Sequence, residues 1–180
     1  MATGPVHLRA IVGAILPVWG LAVGSFMIAP TWWVCWLTVA FFFVLCRYVD
    51  PDADSFTTLS ADWRIKRELG LLGVYMAGWW LIYAGQMDWF QRKGSHRSLL
   101  THSVIPGTLT RVIWFDIPLI FPVAYLMEKF TWVTQITSQY ILQVLVGQFI
   151  GFAIGDIIHL YLDHMWPFRR AQNYYIENEE

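Results

Sequence analysis

Between Ala10 and Ala29 no residue carries a charge, and the same holds from Thr31 to Cys46, from Leu69 to Gln86 and from Tyr140 to Gly155. A chain of 180 residues has too little interior to bury four such runs from water on every side. In lipid each of them is stable only if its backbone N–H and C=O groups pair within the segment, which means a helix. Roughly 17–25 apolar residues suffice to cross the hydrocarbon core. The chain is 57% hydrophobic and 14% charged, where soluble domains average about 25% charged. These features predict an all-α integral membrane bundle. One transmembrane domain over 1–164 and a polar tail over 165–180 account for the chain. The first apolar run is too long for a cleavable signal, and no small-residue cleavage pattern follows it. A net charge of −1 argues against a nucleic-acid partner. The expected surroundings are the lipid bilayer and, in one reading, other membrane subunits.

The expected spans are Ala10–Ala29, Trp32–Val49, Val112–Met127 and Tyr140–Leu162. Pro17 predicts a kink in the first, and Gly20 and Gly24 have the spacing that lets helices approach closely. Pro30-Thr31 is a tight break, so the first two spans form a hairpin and the N-terminus lies on the same side as residue 50. Asp116, Pro118 and Pro122 predict an irregular third span. Gly147, Gly151 and Gly155 give the fourth a packing seam. Cys35 and Cys46 read as small apolar residues. The eleven tryptophans and eight tyrosines suit interfacial anchoring, with packing against a subunit, lipid or pigment as the other use.

Basic residues decide how Leu69–Gln86 is read. If it does not cross, Arg9, Arg47, Arg64, Lys66, Arg67, Arg92, Lys93, Arg97, Arg111, Arg169 and Arg170 share one side and Lys129 stands alone. If it crosses, the twelve divide evenly. The positive-inside bias favours four spans plus an interfacial or re-entrant helix, with the basic side cytoplasmic.

That topology brings the chemistry-bearing residues to one face. His7 precedes the first span; Asp50, Asp52 and Asp54 follow the second; His96 and His102 precede the third; Asp156, His159 and Asp163 end the fourth. "DPDAD" alternates its carboxylates, so extended backbone points them one way. It is not an EF-hand loop, because Ser55 and Ala61 stand where glycine and glutamate are required. Asp156, His159 and Asp163 share a helix face, whereas His164 points elsewhere. His96 and His102 are about 240° apart around a helix, so His96 is expected on a loop or helix start. Mixed imidazole and carboxylate donors suit Zn, Mn or Fe, one ion or two. Arg97 is placed to hold an anion, and Thr101 or Ser103 to support a ligand. Taken singly, each group also has a plain reading as solvated or interfacial side chains.

The motifs "DPDAD" (50–54), "WWLIY" (79–83), "HRSLLTHS" (96–103), "GTLTR" (107–111) and "GDIIHLYLD" (155–163), with His7 after "GPV", are similar to those of a bacterial family of metal-binding integral membrane proteins of unknown function. More distantly they resemble membrane-bound metal-dependent hydrolases. The resemblance spans nearly the whole chain. It implies metal-binding roles for Asp52, Asp54, His96, His102, His159 and Asp163, with His7, Asp50 and Asp156 as weaker candidates, and an inner-membrane location. One departure is Leu8, where relatives often carry an acidic residue; it counts against His7 as a ligand. The expectation is a divalent-metal site at the cytoplasmic face, serving hydrolysis of an ester or phosphoester. The alternative is a non-catalytic accessory subunit of a larger membrane complex. An ion carrier fits less well, since Asp116 is the one charge deep within an expected span.

Overall fold

The computed structural model describes residues 4–48, 59–90 and 103–162, and no strand occurs among them. Five helices carry the fold: α1 (Gly4–Ile28), α2 (Trp33–Leu45), α3 (Leu59–Phe90), α4 (Ile105–Lys129) and α5 (Thr131–Leu162). Three of them, α1, α4 and α5, contain stretches long and apolar enough to cross a bilayer. With its 13 residues, α2 is about 20 Å long at 1.5 Å per residue, short of the roughly 30 Å hydrocarbon core.

The expected hairpin is present. A 3₁₀ turn at Pro30–Trp32 joins α1 to α2, and Trp19 Nε1 donates to Ala40 O across the pair at 3.3 Å. A second hairpin joins α4 to α5 through Phe130, an extended residue whose N–H bonds Leu126 O at 2.9 Å. Thr134 Oγ1 covers the Met127 carbonyl at 2.8 Å. Both bonds take carbonyls that the end of α4 leaves without an intrahelical donor.

The centre of the bundle is the contact of α2 with α5, which run parallel. Here the glycine seam does what its spacing predicts. A Cβ on Gly147 would lie 2.4 Å from Cys35 O, one on Gly151 2.8 Å from Val39 O, and one on Gly155 2.5 Å from Cys46 Sγ. No other residue type permits this approach. Cys46, a free buried thiol as expected, donates to Gly151 O at 3.6 Å. Gln143 of α5 accepts the Cys35 N–H at 3.4 Å and donates to Thr31 O at 3.1 Å. It serves as a cap borrowed from another helix, since Trp32 supplies none of its own. Around the seam Phe42 meets Phe115 and Phe152 edge-on at 5.4 and 5.3 Å.

Several expectations fail. Gly20 and Gly24 are not a packing seam: among the described residues nothing lies within 4 Å of a Cβ built on either, because α2 packs along another face of α1. Helix α1 begins at Gly4 rather than Ala10, α4 at Ile105 rather than Val112, and α5 at Thr131 rather than Tyr140. Polar residues at these ends continue the helices. Where an irregular span was expected, α4 is one helix through both Pro118 and Pro122. A proline lacks the N–H that would bond the carbonyl four residues back. For Pro118 that carbonyl is Trp114 O, and Trp79 Nε1 of α3 donates to it at 3.1 Å. The Trp79 and Trp114 rings stack at 4.8 Å, so the proline creates the place where α3 docks.

Helix α3 bends sharply at Gly70, whose φ of 58° suits glycine above other residues. Before the bend, Glu68 accepts from Arg47 Nη2 at 2.9 Å and from Tyr48 Oη at 2.8 Å. After it, Tyr83 is buried with its ring 5.6 Å from Trp114.

Candidate functional site at one end of the bundle

The start of α1, the end of α2, the start of α4 and the end of α5 all lie at one end of the bundle. The parallel and antiparallel pairings above require it. Pro106 near the start of α4 lacks only a donor that would be spare there, and Ser103 Oγ accepts the Gly107 N–H at 3.1 Å. Both fix where α4 begins.

Three candidate ligands fall among the described residues, with Ser103, and all four are buried at this end. His7 of α1 and His159 of α5 are ring to ring, with centroids 4.1 Å apart and planes inclined by 44°. His159 is fully buried and His7 nearly so. One turn earlier on α5, Asp156 is 1% exposed. Its Oδ2 receives both the Thr108 hydroxyl and the Arg111 guanidinium of α4. Its Oδ1 has no hydrogen-bond partner among the described residues. Asp50, Asp52, Asp54, His96, Arg97, Thr101, His102, Asp163 and His164 lie outside the described residues. The chain nevertheless leaves the described structure at Tyr48 and, after α3, returns at Ser103, both at this same end.

Thr108 and Arg111 were not among the candidates. They are three apart on α4, so they present one face, and the "GTLTR" motif contains both. A third span expected from Val112 leaves Arg111 just outside it, which hides the arginine from a sequence reading. In a helix that starts at Ile105, Arg111 sits about 9 Å inside at 1.5 Å per residue, where an ionisable group is costly and by default functional. Asp116, the charge that was noticed, lies deeper and takes a hydrogen bond from the buried Gln148 Nε2 at 3.0 Å.

Burying Arg111 and Asp156 removes two charges from water, a cost of several kcal/mol per ion that their attraction offsets only in good geometry. Thr108 supplies part of that geometry. Arg111 Nε reaches Gly107 O at 3.4 Å. Its Nη1 has no hydrogen-bond partner among the described residues.

Among the described residues no group of three or more His, Cys, Asp or Glu side chains is gathered for a metal. What the described residues bring together is the imidazole pair of His7 and His159. Two buried imidazoles brought together from α1 and α5 are donors of the type Zn, Mn and Fe take. No family model, curated protein or solved structure matches the chain.

Proposed function

We propose that the protein is an integral membrane protein that holds a divalent metal, Zn, Mn or Fe, one ion or two, at the cytoplasmic end of its bundle, and that it is a metal-dependent hydrolase of an ester or phosphoester. The observation that carries this reading is the contact between His7 and His159. Imidazoles from the first and last helices are buried against each other beside a buried carboxylate. In this reading His7 and His159 are ligands despite Leu8, and Asp52, Asp54, His96, His102 and Asp163 supply the rest, with Asp50 and Asp156 in reserve and Arg97 toward the anion. A divalent ion bound there would supply Lewis acidity toward water and the ester.

The same reading takes α1, α2, α4 and α5 as four spans, with α2 short enough to call for local bilayer thinning. Helix α3 is then interfacial or re-entrant. Its contacts support this: Glu68 meets Tyr48 just past the end of α2, and Tyr83 meets Trp114 in the first half of α4. Both lie in the same half of the bundle. The resemblance in motifs points to a bacterial inner membrane.

The test is hydrolysis of p-nitrophenyl phosphate and p-nitrophenyl acetate by detergent-purified protein. Activity that a chelator abolishes and one of the three metals restores supports the reading. Turnover that is indifferent to chelation contradicts it.

One observation favours the accessory-subunit alternative. An apolar groove of about 890 Å³ opens between α1 and α2, lined by Trp19, Phe26, Trp33, Trp36 and Phe41 among others. Migration in a stoichiometric larger assembly after gentle solubilisation would favour it.

A further inference from the structure

Resting on the metal-site reading, we propose that Arg111 holds a phosphoryl group at this site, which makes the substrate class phosphate esters rather than carboxylic esters. A guanidinium carries five N–H donors in a fixed fork and cannot shed its charge. In Arg111, Nη2 pairs with Asp156 and Nε with Gly107 O. Nη1 is buried, with no acceptor among the described residues, in a side chain that is 1% exposed. An unmatched donor at that depth costs free energy comparable to a lost charged hydrogen bond. Such groups are rare in native structures and call for an explanation, such as a bound ion or a catalytic role.

The geometry points to an anion. Asp156 fixes one edge of the fork and is itself held by Thr108, so the guanidinium cannot swing away. The remaining edge presents N–H groups, and Asp156 Oδ1 is the one carboxylate oxygen beside the pair that is also without a hydrogen-bond partner among the described residues. His159, one turn along α5 from Asp156, and His7 against it add imidazoles and no further carboxylate among the described residues. A phosphoryl group, with several acceptor oxygens and more than one charge, matches such a fork better than a neutral ester carbonyl. The phosphoryl group could belong to free phosphate or to a lipid headgroup, and the chemistry at Arg111 is the same for both.

The test uses full-length protein purified without chelator, with bound metal quantified in every sample. One arm titrates inorganic phosphate, followed by ³¹P NMR line broadening. The other titrates phosphatidic acid in mixed micelles, with diacylglycerol as the phosphate-free control. Saturable binding in the first arm assigns free phosphate and in the second alone a lipid headgroup; both support the proposal. Arg111→Lys is expected to keep its metal and bind about tenfold more weakly or worse, from loss of a charged hydrogen bond. Should that variant not fold, wild-type protein labelled with ¹⁵N-arginine decides. Phosphate or phosphatidic acid must then shift the arginine side-chain signal that exchanges slowest with water. No saturable binding in either arm, unchanged affinity in Arg111→Lys, loss of its metal, or an unmoved arginine signal would each overturn the proposal. Absence of metal from wild type refutes the metal site itself, whereas metal present with binding indifferent to Arg111 refutes only this inference.

Discussion

His7 and His159 lie at opposite ends of the described chain, yet their imidazoles pack 4.1 Å apart in the interior. Neither helix places them so on its own. Helix α1 reaches this end by its hairpin with α2, and α5 reaches it because α2 runs parallel to α5 along the glycine seam. The site is therefore only as stable as that seam.

Gly151→Ala is expected to destabilise the protein by about 1–3 kcal/mol, as overpacking does, since its Cβ would lie 2.8 Å from Val39 O. Gly20→Ala meets nothing within 4 Å and is expected to be neutral or to stabilise by up to about 1 kcal/mol through helix propensity. Thermal denaturation in one detergent checks both. Equal effects would mean that the seam does not carry the packing.

Asp156→Asn leaves the Arg111 charge buried and unneutralised, and the expected loss is about 3–5 kcal/mol. Replacing both by apolar residues, Arg111→Met with Asp156→Leu, is expected to recover most of that stability. Equilibrium unfolding of wild type and the two variants reads this directly. A double variant as unstable as Asp156→Asn would show that the pair is not the unit of stability.

Trp79→Phe removes the N–H bonded to Trp114 O, with an expected cost of about 1 kcal/mol and faster proteolysis of α3. In a Pro118→Ala background the Trp114 carbonyl regains its own backbone donor. The same Trp79 change should then cost less. A double-mutant cycle with no coupling would contradict the account of how α3 docks.

The proposed topology makes a separate prediction. A cysteine introduced at Glu128, at the turn opposite the site, should react with an impermeant maleimide from the side where one at Arg9 does not. Reaction of both from one side would contradict it.

Much of the architecture is legible in the sequence. Uncharged runs marked the helices, Pro30 marked the first turn, and Gly147, Gly151 and Gly155 marked the seam. The convergence of His7 and His159 followed from counting basic residues. What escaped had physical causes. Gly20 and Gly24 have the same spacing as the real seam, and nothing local says which face of α1 another helix will choose. Pro118 reads as an irregularity because the donor to the Trp114 carbonyl is Trp79, a residue remote in sequence. Arg111 was lost to a boundary error of a few residues, which moved a buried charge to the membrane surface. Asp52, Asp54, His96, His102 and Asp163 lie outside the described residues, so their expected convergence stands as a proposal.

The central claim is that the His7–His159 contact belongs to a metal site, and elemental mass spectrometry of gently purified protein tests it most directly. The account predicts one or two equivalents of Zn, Mn or Fe in wild type, and a marked loss in a folded His159→Ala variant. Wild-type protein purified without chelator and free of these metals, or an unchanged metal content in His159→Ala, would contradict it.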